Sequence, residues 1–134
     1  MVLLEDAYNN YVHEIKKIMT NEQYEILLKY DCIKHFFRAS FENAIISLSI
    51  EDLQYCFNNS TICKIVDGGK EIILSEEIPS LVMLIFSIEH NCEISHFSSI
   101  HKQYSTLGDI EIEESIFCCC EGKDNIFAIY FSKK

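Results

Sequence analysis

The chain has only four glycines, one proline, no tryptophan and a single arginine, Arg38. Four glycines do not supply a Gly-x-Gly-x-x-Gly fingerprint, a Walker loop or a Gly-x-Ser-x-Gly elbow, and none of these motifs occurs. Nucleotide binding by the familiar loops is therefore excluded. With one arginine, a bidentate phosphate clamp would rest on Arg38 or fall back on lysines. Positive charge is scarce overall: 11 Lys and Arg face 21 Asp and Glu, a formal charge of −10. That balance argues against direct attraction to nucleic-acid phosphate or anionic lipid and makes a basic protein the natural partner. Long apolar runs are missing too. The longest, Ile78 to Ile88, is broken by Pro79, Ser80 and Ser87 and is far short of the roughly 20 residues that span a bilayer.

The chain has 134 residues, 49% of them apolar, which is enough to bury one core, so a single domain over 1–134 is expected. Seven cysteines could mean disulfides in a secreted protein. The number is odd, however, and Met1 to Asp6 has neither a basic leader nor a long apolar stretch. Free thiols in a reducing cytoplasm are the expectation. The sequons at Asn58 and Asn59 then read as an ordinary polar loop.

Helical periodicity fills the first half. Leu4, Ala7, Tyr8, Tyr11, Val12, Ile15, Ile18 and Met19 form one apolar stripe. Thr20-Asn21-Glu22-Gln23 is a capping box that starts a second helix to about Lys29. Asp31 can cap a third, carrying Ile33, Phe36, Phe37, Phe41, Ala44, Ile45 and Leu48, although Ala44 to Ile50 also suits a strand. Ser49 begins a fourth with Leu53, Cys56 and Phe57. The pattern then changes, with Ile62–Val66 and Glu71–Leu74 flanking Asp67-Gly68-Gly69-Lys70 as a β-hairpin. Ser75 to Pro79 reads as a helix start, and the segment from Leu81 to Ile88 as a central helix apolar nearly all round. Residues 90–108 read as irregular, with at most one short strand. Glu111–Cys120 and Asn125–Ser132 are two strands joined by Glu121-Gly122-Lys123-Asp124. Helices first and strands last predict an α+β fold, with N-terminal helices packed on a C-terminal antiparallel sheet of hairpins.

Three sets of residues could carry chemistry. His90, Cys92, His96 and His101 have donors suited to zinc, but not the spacing of a known finger, so no metal or other cofactor is expected. In Cys118-Cys119-Cys120, a strand puts Cys118 and Cys120 on one face and Cys119 on the other, so the three do not converge on one ion and read as small buried apolar residues. Asp109 with Glu121-Gly122-Lys123 resembles the Asp and Glu-x-Lys pattern of restriction-endonuclease-like nucleases, in which two carboxylates hold magnesium. Here Glu-x-Lys falls on a turn, and the acidic chain offers no basic surface for DNA. His13-Glu14 begins like a His-Glu-x-x-His motif, but Lys17 stands at the second histidine position.

The strongest feature is Asp109-Ile110-Glu111-Ile112-Glu113-Glu114, where alternation sets Asp109, Glu111 and Glu113 on one face of a strand and Ile110 and Ile112 on the other. Glu71, Glu76 and Glu77 would extend this carboxylate row if the two hairpins are neighbours. In charge and size the chain resembles bacterial immunity proteins and antitoxins that cap basic nuclease toxins, and phage-encoded inhibitors. That resemblance is one of profile and rests on no motif. It implies a non-enzymatic, acidic binding or neutralising protein, with Asp109, Glu111, Glu113, Glu114, Glu71, Glu76 and Glu77 meeting a basic partner such as a nuclease toxin. A small metal- or thiol-dependent enzyme, or an oligomeric scaffold or adaptor, is the alternative.

Overall fold

A computed structural model describes residues 4–41, 44–88 and 94–134. Four helices come first: α1 (Leu4–Lys16), α2 (Asn21–Lys29), α3 (Ile33–Phe41) and α4 (Ile50–Phe57). The short strand β1 (Ala44–Ile46) interrupts them, so the third helix stops at Phe41 and the strand alternative holds beyond it. Both capping boxes form, with Thr20 and Ser49 accepting from the backbones of Gln23 and Asp52. Gln23 is itself buried, and its amide donates to the carbonyls of Phe57 at 2.9 Å and Ser60 at 3.0 Å. One side chain thus caps α2 and fixes it to the end of α4.

β2 (Ser60–Asp67) and β3 (Lys70–Ile73) make the expected hairpin, and Gly68 and Gly69 take the positive φ its turn requires. The next segment is β4 (Leu81–Ile88), a strand where the sequence reading placed a helix. Every residue of β4 is buried. A continuous apolar run has no periodicity to separate a buried helix from a strand that is covered on both faces. Ser75 to Pro79 accordingly starts no helix; it lies in the connection from β3 to β4.

The stretch read as irregular contains α5 (Ile94–Tyr104), followed by a small hairpin of β5 (Thr106–Leu107) and β6 (Ile110–Glu111). The chain ends in β7 (Glu114–Glu121) and β8 (Asn125–Lys133). The main sheet has the order β1-β7-β4-β8-β2-β3 and is antiparallel except for the parallel pair β4 and β7. This is an α+β arrangement, with α1 to α4 in the N-terminal half and most strands, together with α5, in the C-terminal half. β7 and β8 are not neighbours, however, because β4 lies between them. Their connection passes the end of β4, where the Gly122 amide donates to the Ile88 carbonyl at 2.6 Å.

The sheet separates two cores. Met83, Ile85, Cys118, Phe127, Ile129 and Phe131 face α1 to α4. Val82, Leu84, Phe86, Cys119, Ala128 and Tyr130 face Ile100, Phe97 and Tyr104 of α5. Cys118 and Cys120 share the first face while Cys119 takes the second, as strand alternation requires. A bulge in β2 between Ile62 and Lys64 turns both Cys63 and Lys64 toward the α5 side, where the Lys64 ammonium lies 4.7 Å over the Tyr130 ring. No helix among the described residues is long and apolar enough to cross a membrane.

Candidate partner-binding site

The site is built at the end of the sheet where β4 and β7 begin and β8 finishes. Two segments bring carboxylates to it. The Glu114 amide, at the start of β7, donates to the carbonyl of Ser80 just before β4, at 3.2 Å. Glu76 and Glu77 lie exposed in the same connection ahead of buried Pro79. That connection is tied along the sheet end by the Ser75 amide on the Cys63 carbonyl (3.1 Å) and the Ser80 amide on the Phe131 carbonyl (2.8 Å). From the helical side, the Tyr55 hydroxyl of α4 donates to the Glu114 carboxylate, while Glu51 and Asp52 lie in the first turn of that helix. Glu113, exposed, precedes Glu114.

One cation at this end, Lys133, is already committed. Lys133 Nζ donates to the carbonyls of Tyr55 and of Asn58, the latter at 2.7 Å, and lies 4.4 Å over the Tyr55 ring. It answers the free carbonyls at the C-terminus of α4, a favourable place for a cation.

The single strand face expected for Asp109, Glu111 and Glu113 does not form. Gly108, at positive φ, and Asp109 make the turn of the β5–β6 hairpin; Glu111 lies on β6, and Glu113 in the bend before β7. All three are exposed, whereas Ile112 is buried against the α5 core. The Gly-Asp pair was the readable signal for that turn. Glu71 is elsewhere: it lies on edge strand β3 and is held 3.0 Å from Lys64. The two hairpins are thus not side by side, since β4, β8 and β2 separate β7 from β3. Tyr55 was missed because nothing in its spacing ties α4 to the start of β7.

The remaining chemical candidates divide. His90 and Cys92 lie outside the described residues, whereas His96 and His101 are on α5. Among the described residues no group of three or more His, Cys, Asp or Glu could hold a metal ion. Asp109 precedes β7 and Glu121 ends it, so the eight-residue strand, roughly 25 Å long, lies between the two acids of the nuclease-like pattern. Burial pushes the Cys32, Cys56 and Cys118 thiols up to about 12, which keeps them protonated and poorly nucleophilic at neutral pH. His101 Nε2 and Ser115 Oγ are hydrogen-bonded. Among the described residues no carboxylate bonds the other ring nitrogen of His101 to orient it as a base.

One buried histidine titrates with the fold. His35 stacks on Phe127 with centroids 4.1 Å apart and lies 3.1 Å from the Asp67 carboxylate. Burial lowers its pKa from 6.5, outweighing the upward pull of Asp67. A depressed folded-state pKa means that the unfolded chain binds the proton first. The contribution of His35 is therefore present above about pH 6.5 and lost as pH falls through the folded value. Unfolding measured at about pH 7 and pH 5 should show wild type losing more stability on acidification than His35→Gln. Equal losses would refute this assignment.

No protein-family model, no curated protein and no solved structure matches this chain, so what the site could do rests on its own geometry.

Proposed function

We propose that the protein binds and neutralises a basic protein partner, of the nuclease-toxin kind, through the acidic end of its sheet. The observation that supports this is convergence: Glu76 and Glu77 of the β3–β4 connection and Glu113 and Glu114 at the start of β7 lie at one end of the sheet, where Tyr55 of α4 bonds Glu114. The nearby ammonium of Lys133 is engaged by α4. Asp109 and Glu111 continue the acidic surface onto the β5–β6 hairpin, while Glu71 adds only to the overall field. An array of one sign raises the encounter rate with an oppositely charged patch and, once docked, covers that patch without any chemical step. A cytoplasmic site of action is part of the same proposal.

Affinity capture from the native host, at low salt and with salt elution, tests it. The expected result is a basic protein that is retained by wild type and lost when Glu76, Glu77, Glu113 and Glu114 are changed to glutamine. Retention of the same protein by the variant would remove this end of the sheet from the interface.

A further inference from the structure

β7 is paired on its outer side over only part of its length. β1 meets it at Cys119 and Cys120 and leaves the edge after Ile46. Among the described residues no strand pairs with the outer edge of Glu114–Phe117. An open edge of this kind offers unpaired amides and carbonyls to an incoming strand. Beside it, between β1, α5 and β7, is an apolar cleft of about 420 Å³ lined by Ile45, Ile46, Phe97, Ser98, His101 and Phe117. Ile45 and Ile46 are 53% and 43% exposed.

The two sides of this edge differ in character. Ser115 and Phe117 point toward α5 and the apolar cleft. On the opposite face lies the Glu114 carboxylate, bonded to Tyr55. A strand laid on this edge would point alternate side chains into the cleft and toward that carboxylate. A second copy of the chain fits badly, because two chains that each carry a formal charge of −10 repel. We infer that the edge of β7 over Glu114–Phe117, with the apolar cleft, receives an extended segment of the basic partner as an added strand whose apolar and basic residues alternate. This inference rests on the acidic-binding reading and deepens it.

The probe is a synthetic peptide as long as β7 that alternates lysine and valine, with amide hydrogen exchange and affinity as readouts at low salt. The peptide should protect the β7 amides that point away from β4. Replacing its central residue by proline removes a ladder donor and should weaken binding about tenfold. Ser98→Trp, which fills the cleft from an exposed position on α5, should weaken it similarly with an unchanged melting temperature. Unchanged β7 exchange with equal binding of the proline peptide would overturn strand addition. If that binding were also lost in the four-glutamine variant, acidic capture would stand without the edge. If the four-glutamine variant bound the parent peptide undiminished and with β7 protection, the edge would stand and the acidic reading would fall. Absence of peptide binding to wild type would overturn the inference.

Discussion

Phe127→Ala should destabilise the protein by about 3–5 kcal/mol, the cost of truncating a fully buried aromatic side chain. Phe127 has no exposed surface and lies on β8 between Asp67 of β2 and Ile85 of β4. Its ring stacks on His35 and meets the edge of Phe36 at 6.1 Å. Alanine would leave a cavity under α3 and deprive the His35 ring of its cover while Asp67 still holds it. Since a domain of this kind is stable by only about 5–15 kcal/mol, the urea midpoint should fall sharply. A loss below about 1 kcal/mol would mean that α3 is not docked on this face.

The second large effect is kinetic. Changing Glu76, Glu77, Glu113 and Glu114 together to glutamine should slow association with the captured partner about tenfold or more. The melting temperature should stay nearly unchanged, because all four side chains are exposed and solvated groups contribute little to stability. Glu71→Gln should have a much smaller effect, since Glu71 is paired with Lys64 at the far edge. Stopped-flow kinetics of the two variants decide this. Equal slowing per charge removed would implicate net charge rather than the sheet end.

The sequence made some elements plain and hid others, for identifiable reasons. Thr20 with Gln23 and Ser49 with Asp52 are local devices, so the starts of α2 and α4 could be read directly. The Gly68-Gly69 turn is local in the same way. Leu81 to Ile88 is not: its covering layers are α1 to α4 on one side and α5 on the other, a fact of tertiary structure that leaves no period in the run itself. α5 went unread because Phe97, Ile100 and Tyr104, at helical spacing, are diluted by serine and histidine. The insertion of β4 between β7 and β8 follows from its need for cover on both faces.

The site was half legible. Glu113 and Glu114 stood out as acids beside an apolar alternation; Ile112 is buried as that pattern requires, whereas Ile110 is exposed and does not pack. The alternation was taken for one strand because a two-residue strand such as β6 is too short to show as a separate unit. Tyr55 reaches Glu114 only through the placement of α4 beside the start of β7, and no spacing in the sequence encodes that contact.

The most direct test of acidic capture is the ionic-strength dependence of the association rate between wild-type protein and its captured partner. Screening acts within about 10 Å at 0.1 M salt, so a rate set by the acidic sheet end should fall steeply as salt rises. The four-glutamine variant should show a shallower slope, with its rate meeting that of wild type at high salt. A rate independent of salt, or a slope identical in wild type and variant, would contradict the account.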